Sequence, residues 1–228
     1  MIRITMIYPE LLGTYGDVGN GLVLHQRAVR RGLSASLVSV GPGDEVPASD
    51  VYLLGGGEDG PQRLAADLLA SSSFGEHVRD GALVVAVCAG LQILGRTFSV
   101  EGDDEYAGLG LADVVTRRGT QRSVGELVAD VGGRTMVGFE NHGGVTTLGE
   151  GVAPFGRVRM GRGNDGQADG FRTKNIWATY AHGPVLAMNP WMADLVLEHV
   201  SGESVAPLAT AADLLYEERC RTLRLSRG

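Results

Sequence analysis

The 228-residue chain carries a formal net charge of −7 and is 43% apolar. That is ample for a sizeable core, and the charge gives no electrostatic footprint for nucleic acid or an anionic membrane. No apolar run is long enough to span a bilayer, and the only lysine, Lys174, stands in Phe-Arg-Thr-Lys-Asn rather than in a glycine-rich loop, so the P-loop fingerprint of ATP sites is absent. The two cysteines, Cys88 and Cys220, lie far apart in unlike contexts, and no cationic and apolar leader opens the chain, which points to a reducing cytoplasm.

Apolar residues over 2–8 predict a first strand, and Leu22, Leu24, Ala28 and Val29 give helical spacing over 19–31, stopped by Gly32. Strands follow over 35–40 and 51–54, the latter running straight into Gly55-Gly56-Gly57-Glu58-Asp59-Gly60. A helical region over 61–79 leads to the run Ala82-Leu-Val-Val-Ala-Val-Cys88, whose unbroken apolar character suits a strand buried on both faces. Strands alternating with helices at this spacing predict βαβ units, hence an α/β fold with a mostly parallel central sheet flanked by helices. After Arg96 the texture changes to glycine-rich β segments over 109–116, 126–131, 134–139, 155–160 and 174–180, expected as antiparallel additions that complete a single domain over 1–228. Helices close the chain over 189–200 and 211–224, the Arg-rich stretch 219–227 reading as a solvated helix end and 161–170 as a mobile surface loop.

Cys88 stands between its buried strand and Ala89-Gly-Leu-Gln92, a segment able to start a helix, so it falls at a strand-to-helix elbow. A side chain there is held out at the carboxyl edge of the sheet, and the N–H groups and positive end of a helix favour a thiolate. The same residue also fits a buried structural cysteine, and its neighbourhood must decide between the two. His25, His77 and His199 fall inside predicted helices, leaving His142 and His182 as candidate bases; His182 follows a strand and precedes Gly183-Pro184, at the edge where Cys88 would lie if both strands run parallel. The Gly55-Gly56-Gly57 turn, one βα unit earlier, offers backbone N–H groups for an oxyanion, with the N–H of Ala89 as second donor.

Cys88-Ala-Gly-Leu-Gln92 resembles the Cys-x-Gly-x-Gln nucleophile motif of class I glutamine amidotransferases, and His182-Gly-Pro with Asn189-Pro190 resembles the matching segment of their cobyric-acid-synthase-like branch. Tyr15-Gly-Asp-Val-Gly-Asn20, Thr120-Gln-Arg122 and Gly138-Phe-Glu-Asn-His142-Gly-Gly are similar to the glutaminase subunits of lipid II isoglutaminyl synthases, so the likeness runs from Tyr15 to Pro190. The resemblance implies a flavodoxin-like fold, Cys88 as nucleophile, His182 as general base and then acid, Gly57 and Ala89 as oxyanion donors, Arg122 as clamp for the glutamine carboxylate, and Gln92 as support for the helix start. It further implies L-glutamine as substrate, no metal or cofactor, and a MurT-like, ATP-dependent Mur-ligase-family synthetase as heterodimeric partner that reaches lipid II.

Glutaminases for corrinoid-type amidation, and non-catalytic subunits of the same fold, are the competing expectations. Ala187-Met188 departs from the Pro-Lys common before Asn-Pro in the family, which bears on any partner contact at that turn. The residue two after His182 is Pro184, where many class I enzymes carry a glutamate that completes a triad. The expectation is therefore a third carboxylate supplied by the partner, with Glu140 as the alternative within this chain.

Overall fold

The computed structural model describes residues 1–100 and 105–225. In chain order the strands are β1 (Ile2–Ile7), β2 (Ala35–Val40), β3 (Val51–Leu54), β4 (Leu83–Val87), β5 (Thr97–Ser99), β6 (Glu105–Ala107), β7 (Val114–Val131), β8 (Arg134–Leu148), β9 (Gly156–Met160), β10 (Ala168–Asp169), β11 (Phe171–Arg172) and β12 (Ile176–Thr179). The helices are α1 (Gly19–Val29), α2 (Asp59–Ala70), α3 (Phe74–Arg79), α4 (Ala89–Ile93), α5 (Val185–Met188), α6 (Pro190–Ser201) and α7 (Ala211–Leu225).

The main sheet has the order β11-β12-β4-β3-β1-β2, parallel throughout except for β11 at one edge. Its central strands β3, β4 and β12 are buried at every position, as unbroken apolar runs require when both faces are covered. Because β1, β3, β4 and β12 run the same way, the loops leaving their carboxyl ends share one edge. These carry residues 8–18, Gly55 to Gly57, Cys88 and His182.

A second sheet of order β10-β9-β7-β5-β6, with β8 paired to β7, holds the antiparallel additions except the segment 174–180, which instead forms β12 and pairs parallel with β4 in the main sheet; only β5 and β7 are parallel within the second sheet. The segments 109–116 and 126–131 are not two strands. Residues 114–131 form one strand of 18 residues, whose middle is exposed, rich in Arg and Gly, and interrupted by a bulge between Arg118 and Ser123. The predicted helix over 61–79 is likewise two, α2 and α3, separated at residues 71–73 where the Ser72 hydroxyl donates to the Leu69 carbonyl and accepts from the Phe74 N–H.

The loop 161–170 is tied down rather than mobile. The amides of Arg162 and Gly163 donate to Glu140 at 2.7 and 2.8 Å, Asn164 Nδ2 donates to the Gly170 carbonyl at 2.7 Å, and Asp169 is fully buried. The closing helix α7 is not simply solvated: Cys220 is buried, Arg219 pairs with Glu126, and buried Arg27 of α1 joins Asp194 of α6 at 2.7 Å to Asp213 of α7 at 3.0 Å. The end of the Arg-rich stretch, Arg227, lies outside the described residues. Among the described residues no helix is long and apolar enough to cross a membrane.

Candidate active site

The backbone at Cys88 has φ +51° and ψ −105°, a conformation that side-chain-bearing residues adopt only when their surroundings enforce it. Those surroundings are the ends of the two flanking strands: the Cys88 N–H donates to the Thr179 carbonyl at 2.9 Å and the Gly90 N–H to the Gly55 carbonyl at 3.1 Å. A Cβ on Gly90 would stand 2.7 Å from the Leu54 Cβ, so the elbow closes only on glycine. The helix that follows, α4, is a single turn of five residues. It offers local N–H groups to the sulfur rather than the macrodipole that a longer helix would carry.

His182 is fully buried and held on every side. Its backbone exchanges two hydrogen bonds with Phe139 of β8, at 2.8 and 3.2 Å, which latch the second sheet onto the end of β12. Its ring lies against Phe139 at a centroid distance of 5.5 Å and meets the ring of Tyr15 edge-on at 4.9 Å. Nδ1 faces Asp17 Oδ2 at 2.9 Å, and Nε2, with no other partner among the described residues, is left for the adjoining Cys88 thiol. Burial opposes charge on this ring, but the hydrogen bond to Asp17 and the interaction with Cys88 outweigh it and raise the pKa from 6.5 to about 9.

A carboxylate of this chain, Asp17, thus meets the second nitrogen of His182. Oδ2 also accepts the Gly56 N–H at 2.8 Å, so the carboxylate is oriented from two sides. This overturns the expectation of a carboxylate from the partner, and the alternative, Glu140, is engaged elsewhere. Glu140 accepts the Arg162 and Gly163 amides and faces His142 Nε2 at 3.2 Å, while His142 stacks on Tyr180 at 3.8 Å. Burial would raise the Glu140 pKa, but these donors together hold it below the ordinary carboxylate value. Asp17 stands 165 residues from its histidine; in the sequence it belongs to the Tyr15-Gly-Asp-Val-Gly-Asn20 motif that carries the family likeness, but nothing local marks it as buried or as a partner of His182.

The three glycines at the end of β3 are needed for room. A Cβ on Gly55 would sit 2.1 Å from the Leu12 carbonyl oxygen, one on Gly56 2.5 Å from His182 Cε1, and one on Gly57 2.7 Å from the Leu11 carbonyl oxygen. None of the three has a positive φ, so close approach of backbone and imidazole, not turn conformation, selects glycine here. Gly57 lines a cavity of about 510 Å³ that Cys88, Gln92, Arg122 and His142 also line. Ala89, the other expected oxyanion donor, is buried as the first residue of α4.

Arg122 reaches this cavity from the bulge of β7, its Nε donating to Asn141 Oδ1 at 2.5 Å. Gln92 does more than support a helix start: it accepts from Gln62 Nε2 at 2.9 Å and donates to the Tyr180 hydroxyl at 3.2 Å, and that hydroxyl meets Thr146 Oγ1 at 2.7 Å. This chain of buried hydrogen bonds joins α2, α4 and the second sheet along the cavity lining, to which Gln62 and Gln92 belong, and neither Gln62 nor Tyr180 carries a sequence signal for it.

Residues 3–190 match the CobB/CobQ-like glutamine amidotransferase domain. The chain is 35% identical over 197 residues to the lipid II isoglutaminyl synthase (glutamine-hydrolyzing) subunit GatD of Staphylococcus aureus, covering 83% of this chain and 80% of that protein. It is 32% identical over 201 residues to GatD of Streptococcus pneumoniae, covering 84% of this chain and 77% of that one. Cobyric acid synthase of Sphingopyxis alaskensis is 30% identical over 158 residues, which are 64% of this chain and 31% of that protein. Among solved structures, a glutamine amidotransferase superposes with a TM-score of 0.59 at 20% identity over 86% of this chain and 98% of that one. The glutaminase domain of Trypanosoma brucei CTPS superposes with a TM-score of 0.56 at 11% identity, over 93% and 99%.

Proposed function

The chain belongs to the CobB/CobQ-like glutamine amidotransferase family, and from that membership we propose that it is the glutaminase subunit of a lipid II isoglutaminyl synthase. In this reading it hydrolyses L-glutamine through a Cys88 thioester and passes ammonia to a MurT-like, ATP-dependent synthetase of the Mur-ligase family, which amidates the D-glutamate of lipid II to D-isoglutamine. The observation that carries the catalytic part is the line Cys88, His182, Asp17: a thiol on a strained elbow, an imidazole with one nitrogen left for it, and a carboxylate 2.9 Å from the other nitrogen.

The chemistry follows from that line. The Cys88 sulfur attacks the carboxamide carbon of glutamine, and the oxyanion that forms is met by the N–H groups of Gly57 and Ala89. His182 Nε2 takes the Cys88 thiol proton as the sulfur becomes the attacking thiolate, and the pKa raised to about 9 holds that proton on the ring until the departing ammonia takes it up. Loss of that proton leaves Nε2 able to draw one from water, which then releases glutamate from the thioester. Asp17 keeps Nδ1–H pointed away from the sulfur throughout, and Arg122, anchored by Asn141, faces the α-carboxylate.

Ammonia is useful only to an acceptor enzyme, and the sequence carries no P-loop fingerprint, which supports a synthetase partner in a heterodimer. Coverage of about four-fifths of the GatD relatives favours this acceptor over corrinoid amidation, since the cobyric acid synthase match spans under a third of that protein. The test is reconstitution: the chain with a MurT-like synthetase, ATP and lipid II should form isoglutaminyl lipid II from glutamine, and Cys88→Ala should form it only when ammonium is added. Failure of the wild-type chain to release ammonia from glutamine would sink the reading.

A further inference from the structure

Tyr15 touches both ends of the proposed machinery. It has φ +60° and is followed by Gly16 at φ +80°, a left-handed pair that a tyrosine enters only when its contacts hold it there. The turn is fixed at its base by the Thr14 N–H donating to the Gly56 carbonyl at 3.1 Å, and two residues on it delivers Asp17 to His182. The Tyr15 ring packs edge-on against His182 at 4.9 Å and Phe139 at 5.4 Å. Its hydroxyl accepts from Asn141 Nδ2 at 2.5 Å, and the Oδ1 of the same amide accepts from Arg122 Nε. One side chain therefore braces the imidazole with its ring and the arginine with its oxygen.

We infer that Tyr15 is a positioning residue that couples capture of the glutamine carboxylate at Arg122 to the orientation of His182; this rests on the glutaminase reading above. An arginine at the cavity mouth has many rotamers, and a substrate that must order it binds more weakly. Asn141 removes part of that freedom by holding Nε, and Tyr15 in turn fixes which way the Asn141 amide points, because its hydroxyl takes the NH₂ group and leaves the oxygen for Arg122. The ring meanwhile packs edge-on against the imidazole, which Phe139 flanks as well, and so limits how His182 can turn. The hydroxyl and the ring thus serve different steps, binding and turnover, and the two can be separated by substitution.

The experiment measures ammonia release against glutamine concentration for the full-length wild-type chain, Tyr15→Phe, Asn141→Ala, their double variant and Tyr15→Ala, with thermal melting to verify folding. Tyr15→Phe keeps the ring and loses the oxygen; its KM should rise about threefold to tenfold, the worth of one hydrogen bond, with kcat falling far less. Asn141→Ala should raise KM at least as much, and adding Tyr15→Phe to it should cost nothing further, since both break the same link. Tyr15→Ala should also lower kcat by about tenfold or more, because the base loses its brace. An unchanged KM in Tyr15→Phe, additive effects in the double variant, or equal kcat in Tyr15→Phe and a folded Tyr15→Ala would each overturn the inference. A wild-type chain that releases no ammonia would overturn the glutaminase reading and the inference with it.

Discussion

Asp17→Asn exchanges one carboxylate oxygen for an amide nitrogen at the point where the group meets His182 Nδ1 at 2.9 Å and the Gly56 N–H at 2.8 Å. If the amide oxygen takes the place of Oδ2, both hydrogen bonds survive and only the charge is lost. If the amide turns over, it presents N–H to Nδ1, forces the proton onto Nε2 and leaves the ring unable to accept one from Cys88. The first case sets the floor. A His182 pKa raised from 6.5 to about 9 amounts to about 3 kcal/mol of preference for the charged ring, against burial that opposes it. That preference is shared between Asp17 and Cys88, and losing the Asp17 share predicts a fall in kcat of about 10- to 10²-fold, with a smaller change in KM.

The same shift makes a stability prediction of definite sign. The folded-state pKa of His182 lies above its unfolded value, so its contribution is complete below 6.5 and is lost as pH rises through about 9. The wild-type chain should therefore lose up to about 3 kcal/mol of stability across that window from this group, and Asp17→Asn should lose markedly less. Glutamate formation at saturating glutamine, with denaturant unfolding on either side of the window, reads both quantities. Wild-type turnover in a folded Asp17→Asn, or loss of turnover that the synthetase subunit restores, would refute Asp17 as the group that orients His182.

Cys88→Ala should abolish ammonia release while the chain stays folded, and a glutamine-mimicking electrophile should label Cys88, which lines the cavity, rather than Cys220, which does not, as read by peptide mass. Arg122→Ala should weaken glutamine capture by about 1.5 to 3 kcal/mol, seen in KM more than in kcat. Gly56→Ala puts a methyl 2.5 Å from His182 Cε1 and should lower kcat about tenfold or more through the displaced ring, with folding checked by thermal melting. Glu140→Gln should speed amide exchange at Arg162 and Gly163. Because the Glu140 pKa is lowered on folding, its contribution is present above the ordinary carboxylate range and is lost as pH falls through the lowered value, so the variant should be the less acid-sensitive of the two.

Local pattern sufficed for β3 and β4, which are buried on both faces and write themselves as apolar runs, but not for β12, expected as an antiparallel addition and found parallel to β4, because burial alone does not say which neighbour a strand pairs with. It failed for β7, whose exposed Arg- and Gly-rich middle carries no burial signal; pairing with β8 holds that stretch as strand on either side of the bulge. Within the site, Cys88 and His182 were legible because each ends a buried strand, and parallel order brings strand ends together. Arg122 was reached through family likeness alone, since an exposed arginine on a bulge looks like any other. Asp17, Tyr15 and Asn141 stand in motifs that carry the family likeness, but their roles were not legible there: Asp17 meets His182 and Tyr15 meets Asn141 across more than a hundred residues, relations that no periodicity records. The sequence beside His182 offers only Pro184 in the expected place of a carboxylate, whereas the fold brings Asp17 to the ring from the loop after β1.

The central claim is that ammonia freed at Cys88 is the nitrogen that the synthetase installs. Glutamine labelled with ¹⁵N at its amide, given with ATP and lipid II to the reconstituted pair, should place ¹⁵N in the isoglutamine carboxamide. The Cys88→Ala pair should place none there, yet still amidate when unlabelled ammonium is supplied. Label transfer by Cys88→Ala at the wild-type rate, or hydrolysis of glutamine by the wild-type pair with no ¹⁵N in the product, would contradict the account.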